Sequence, residues 1–107
     1  MSTYTPDVWV VIEFTTHKET FRKVFAGWYG GYTGSNSWKL NSGITKVRID
    51  DSGHYEFDGH SGSTYCCHVN NYHMSGLMHD IYANWLKQAE EQDIQIRILD
   101  LNEIVEN

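Results

Sequence analysis

Proline occurs once in the chain, at Pro6, and cysteine only twice, as the adjacent pair Cys66 and Cys67. With a single proline, no low-complexity segment and no internal repeat, nothing marks a linker, and the 107 residues are expected to form one domain. Neighbouring Cα atoms on a trans peptide lie about 3.8 Å apart, short of the roughly 4.4 to 6.8 Å a disulfide prefers. The two cysteines are therefore expected as free thiols in a reducing compartment, not as part of a secreted scaffold. No apolar run approaches the roughly 18 residues of a membrane span. The stretch Met1 to Asp7 also lacks the basic-then-apolar profile of a signal peptide. The expected location is the cytoplasm, with no membrane partner.

Positive charge is scarce as well. Eight Lys and Arg stand against fourteen Asp and Glu, a net charge of −6. The excess is concentrated in residues 90–107, where Glu90, Glu91, Asp93, Asp100, Glu103 and Glu106 face Arg97 alone, a net −5. An acidic end repels phosphate, so ordinary nucleic-acid binding loses its main source of affinity. The end reads as a solvated, solubilising segment, or else as a docking surface for a basic partner or a crude mimic of nucleic acid.

Bulky apolar residues are plentiful. Four Trp, seven Tyr and four Phe are enough to close one core and exclude a disordered chain. Val8, Val10, Ile12 and Phe14 alternate, and Trp9 and Val11 fill the opposite face, which predicts a strand covered on both sides for part of its length. Thr15 to Glu19 reads as a turn. Phe21 to Trp28 reads as a second strand with Val24, Ala26 and Trp28 on one face and Phe21 and Phe25 on the other, and Trp28 is assigned to the core. A helix over residues 18–26 also fits that spacing, but Thr20, Phe21, Val24 and Phe25 favour extended chain and Gly27 follows. Ile44–Ile49 and His54–Asp58 flank Asp50-Asp51-Ser52-Gly53 as a hairpin. After a turn at Gly59–Gly62, Ser63–Val69 completes an antiparallel meander.

One helix is expected over residues 75–91. Ser75 caps it, and Leu77, Met78, Ile81, Tyr82, Trp85, Leu86 and Ala89 form one apolar stripe. Asp80 and Lys87 are placed to favour its dipole. Ile94, Ile96 and Ile98 then alternate as a final strand. The expected fold is α+β: a mostly antiparallel sheet of about five or six strands with one helix across a face.

The segment Gly27 to Gly43 is the most distinctive. It carries five of the nine glycines and the aromatics Trp28, Tyr29, Tyr32 and Trp38. Glycine lets backbone bend or approach a ligand, while Trp and Tyr offer broad faces with a polar handle. Such loops bind sugars, bases or protein surfaces, or else fold back as structure. The candidate binding residues are Tyr29, Tyr32, Asn36, Trp38 and Lys39. Gly59-His60-Ser61-Gly62-Ser63 lacks the second glycine of a nucleophile elbow, so no catalytic serine is expected. Cys66, Cys67, His68 and His73, with His54 and His60 upstream, contain zinc-type ligands without the usual spaced pairs, and neither metal nor cofactor is expected.

The runs Gly27–Tyr32, Ser37–Gly43 and Gly59–Tyr65 resemble those of small proteins encoded by tailed bacteriophages. The resemblance covers residues 7 to 70 and carries over no catalytic residue. It implies an accessory protein acting in the host cytoplasm. The function expected is non-enzymatic binding of a host or phage protein. The alternatives are a small-ligand or carbohydrate-binding module built on the 28–38 aromatics and, third, a metal-assisted enzyme built on the Cys/His cluster.

Overall fold

A computed structural model describes residues 2–32 and 34–105; Glu106, counted above with the acidic end, lies outside them. Strands β1 (Thr3–Tyr4), β2 (Val8–Thr15), β3 (Thr20–Trp28), β4 (Ser37–Leu40), β5 (Ile44–Ile49), β6 (His54–Gly59) and β7 (Thr64–His68) precede helix α1 (Gly76–Glu91), and β8 (Gln95–Ile98) follows it. The strands form two four-stranded sheets, in the orders β4-β3-β2-β8 and β1-β7-β6-β5. All pairings between strands are antiparallel except the short parallel β1–β7 contact. The α+β class is as expected, but the strands are more numerous and the single expected sheet is in fact two.

The reason lies in β2. Every residue from Val8 to Ile12 is apolar and buried, so both faces of this strand need covering, as in the middle layer of a stack. Trp9 and Val11, with Val24 and Ala26 of β3, face the second sheet and meet Phe57, Tyr65 and Cys67. Val8, Val10 and Ile12, with Phe25, face the other way and meet Met78 of α1. The molecule is thus three layers: meander sheet, central sheet, helix. Trp9 is fully buried, its ring 5.4 Å from Phe57 and edge-on to Tyr72 at 4.7 Å, while its Nε1–H donates to the His68 carbonyl at 2.7 Å.

Local chemistry sets the connections. Thr16 Oγ1 accepts the Lys18 and Glu19 amides and closes the β2–β3 turn. Asp50 Oδ1 accepts the Ser52 and His54 amides, and Gly53 takes φ +87° to complete the β5–β6 turn. The chain leaves the central sheet for the meander at Asn41-Ser42-Gly43. There Asn41 Oδ1 accepts from the Val24 and Gly43 amides, and Gly43 sits at φ +128°.

Helix α1 begins as expected: the Ser75 side chain accepts from the Met78 amide. Its charges correct the expectation, because Asp80 falls after the first turn and Lys87 before the last, so neither terminal turn carries the dipole-matching charge. The apolar stripe is also narrower than expected. Met78 and Ala89 are buried and Ile81, Tyr82 and Trp85 are partly so, but Leu86 is 43% exposed. Trp28 is likewise not inside the core but packs on its rim, with Nε1–H donating to the Thr5 carbonyl.

Candidate functional site

The segment from Gly27 to Gly43 holds a strand that its glycines conceal. Residues Ser37–Leu40 fold back on β3, pairing Trp38 with Gly27 and Leu40 with Phe25. Two side chains staple the intervening loop: Asp7 Oδ2 accepts the Tyr29 amide at 2.8 Å, and Asn36 Oδ1 accepts the Gly30 amide at 3.1 Å. Gly30 is required sterically, since a Cβ there would strike the backbone of Gly34 and Ser35.

The five candidate residues do not form one patch. Tyr32 stands fully in solvent and Tyr29 is 51% exposed. Asn36 spends its carbonyl oxygen holding the loop. Trp38 and Lys39 are successive strand residues and point to opposite faces of the central sheet. Trp38, 40% exposed, lies edge-on to Phe25 at 5.8 Å and to Trp85 of α1 at 5.5 Å. The Lys39 ammonium instead lies 5.3 Å from the ring centre of Tyr4, a cation over an electron-rich face. Reading the segment as a loop hides this division, which the alternation of a strand makes obvious.

Tyr4 is the residue that sequence reasoning missed. It sits on the two-residue strand β1, too short to carry a periodic signal, and its ring meets Trp28 at 6.2 Å and Tyr65 at 5.0 Å. On this side of the molecule the edge strand of each sheet, β1 and β4, is unpaired outward. A groove of about 440 Å³ separates them, lined by Thr3, Tyr4, Thr5, Trp28, Trp38 and Lys39 among others. A second cleft of about 250 Å³ shares Tyr4 and Lys39 and runs inward past Asn41, Ser42, Ser61 and Ser63. Two larger depressions, of about 590 and 570 Å³, flank β8 and β5. In their walls Glu13 is bound to both Arg22 and Arg97 at 3.2 Å. Arg97 also pairs with Glu103 at 2.8 Å, so the acidic end is partly neutralised where it folds back.

The cysteines and histidines occupy another surface. Cys67 faces the core and is buried, whereas Cys66 is half-buried on the outer face of the meander; both thiols are free. Burial pushes the Cys67 thiol up, and partial burial with nearby Glu56 and Asp50 raises that of Cys66. Since the thiolate is the nucleophile and metal ligand, both environments disfavour that chemistry. His54 and His68 are cross-strand partners with rings 4.9 Å apart, but each Nδ1 is engaged, with Ser52 Oγ and the Asn70 amide. Among the described residues no three His, Cys, Asp or Glu converge in the manner of a metal site. Ser61 lies in a turn between antiparallel strands, its amide donating to Ser42 Oγ at 2.9 Å, and not on a strand-to-helix elbow. Among the described residues no helix is long and apolar enough to cross a membrane.

Comparison of the chain with protein families, curated sequences and solved structures gives no match. The functional reading therefore rests on the chemistry of these surfaces.

Proposed function

We propose that this chain is a non-enzymatic binding protein, an accessory factor encoded by a tailed bacteriophage, which engages a host or phage protein along the β4 edge. The observation that carries the reading is an outward-unpaired edge strand beside exposed aromatic rings. Proteins usually blunt such edges with charge. The β5 edge follows that rule with Lys46 and Arg48, and the β8 edge with Arg97. The β4 edge carries one charge, Lys39, and is set apart by the aromatic rings around it, Trp38 with Trp28 and Tyr4 along the groove.

An extended segment of a partner fits there as an added strand, with backbone hydrogen bonds supplying affinity and alternate side chains supplying choice. Trp38 and Lys39 on opposite faces select an alternating sequence, apolar beside the tryptophan and acidic beside the lysine. No carboxylate among the described residues pairs with Lys39, which leaves its charge for the partner. Tyr29 and Tyr32 extend the same rim as aromatic anchors. The test is capture from bacterial lysate by tagged wild type and by Tyr32→Ala and Trp38→Ala, with hydrogen exchange on the recovered complex. The reading expects one partner in stoichiometric yield, protection centred on residues 37–40, and loss of the partner from Trp38→Ala. Equal capture by all three proteins, or protection elsewhere, contradicts it.

A further inference from the structure

The two sequence runs that stand out beside the aromatic segment, Ser37–Gly43 and Gly59–Tyr65, are separate in the chain and in different sheets. They meet at the inner cleft of about 250 Å³. At its base is Asn41, only 4% exposed, whose amide nitrogen Nδ2 is buried without a hydrogen-bond acceptor among the described residues. Its orientation is fixed, because Oδ1 accepts the Val24 amide at 2.9 Å and the Gly43 amide at 3.3 Å. Turning the amide over would place N–H against N–H. A buried donor without a partner costs about 1 to 3 kcal/mol and is rare in folded proteins, which asks for a reason.

We infer that the inner cleft is a binding site for a small oxyanion, the carboxylate or phosphate group of a low-molecular-weight ligand, with Asn41 Nδ2 as a donor to it. The other polar side chains of the wall are all able to donate. Ser42 Oγ already accepts the Ser61 amide, so its own proton is left to give outward. Ser61 and Ser63 add two more hydroxyls, and the Lys39 ammonium stands at the mouth over Tyr4. Among the described residues no Asp or Glu lines the cleft. Donors converging with one positive charge and no negative charge match an oxyanion, whose hydrogen bonds are charge-assisted.

Gly59 borders the amide and the serine wall. A Cβ at this position would lie 3.1 Å from Ser42 Oγ and 3.2 Å from Asn41 Nδ2, between the serine wall and the amide. Gly59 is not among the glycines with positive φ, so alanine fits its backbone while a methyl occupies the space before the amide. The volume is below the roughly 300 Å³ at which drug-sized sites begin, in keeping with a single small group. The cleft shares Tyr4 and Lys39 with the protein-binding edge, but Asn41, Gly59 and the three serines belong to the cleft alone and test it separately.

The experiment follows the Asn41 side-chain NH₂ and the Ser42, Ser61 and Ser63 amides of the ¹⁵N-labelled full chain. It is titrated separately with sodium phosphate, sodium acetate and methyl glucoside at constant ionic strength. The site predicts saturable shifts at these groups with phosphate or acetate; whichever binds tighter tells phosphate ligands from carboxylates. It also predicts at least about a tenfold loss, the equivalent of one good hydrogen bond, in both Gly59→Ala and Ser63→Ala. Both variants keep Lys39, so β4-edge capture should survive in them. Should Gly59→Ala misfold, Ser63→Ala alone decides. Absence of saturation with either anion, saturation unchanged in the variants, or preference for the uncharged sugar overturns the inference.

Discussion

Tyr72 shows how much of this fold depends on a single hydroxyl. Its Oη–H donates to the Leu99 carbonyl at 2.6 Å and its oxygen accepts the Val11 amide at 3.1 Å, joining the central strand to the segment that follows β8. Tyr72→Phe keeps the edge-on contact with Trp9 but leaves both backbone groups unpaired, and is expected to cost about 1 to 3 kcal/mol in chemical denaturation. Burial pushes the Tyr72 hydroxyl up to about 12, so the folded state holds the proton more tightly than the unfolded chain does. That contribution is complete below the unfolded value near 10 and disappears as the pH rises toward 12. Stability should therefore fall between about pH 10 and 12 in the wild type and less steeply in Tyr72→Phe; parallel curves would assign the alkaline loss to other groups. Nothing in the sequence marks Tyr72, since its role depends on partners 61 and 27 residues away.

At the scale of elements, local chemistry announced most of the secondary structure and tertiary packing decided the rest. The β2–β3 pair, the Asp50–Gly53 hairpin, the Ser75 cap and the final isoleucine strand were legible because alternation, turn residues and capping are written in neighbouring positions. Strands β1 and β4 were not: two and four residues give no period, and glycines around β4 imitate a loop. The helix was legible in extent but not in depth. Met78, fully buried against β2 and β3 and in contact with Gly27, is the true anchor, whereas Leu86 shares the spacing and faces out. Met78→Ala is expected to cost about 2 to 5 kcal/mol and Leu86→Ala less than about 1 kcal/mol. Thermal or denaturant melts compare the two directly, and equal losses would mean that the helix is rotated from the orientation described.

At the scale of the molecule, three layers put charge and aromatic surface on different sides. The outer face of the meander carries Arg48 bonded to Asp58 at 2.6 Å and to Glu56 at 3.2 Å, and the β8 side carries Arg97 bonded to Glu103 and Glu13. The guanidinium hydrogen bonds hold Asp58 and Glu103 down to about 2, so these carboxylates favour the fold above the unfolded value near 4 and cease to do so as the pH falls from there to about 2. Acid melts of Arg48→Gln should accordingly lose less stability across that interval than the wild type, and a slope unchanged by the substitution would remove Asp58 from the account. The candidate site was half legible. The aromatic segment was visible from composition, but its division into two faces and the contribution of Tyr4 arise only when β1 and β4 become the adjacent edges of two sheets. What remains distinctive on this side is an open edge with aromatic walls and a lysine that pairs with no carboxylate among the described residues, and the functional proposal depends on it. The direct measurement is hydrogen exchange at the amides of residues 37–40, in the free protein and in the complex recovered from lysate. The proposal predicts that those amides of residues 37–40 that face away from β3 exchange slowly only in the complex, and that Trp38→Ala recovers no complex while remaining folded. Exchange at residues 37–40 that is the same in the bound and free protein would contradict it.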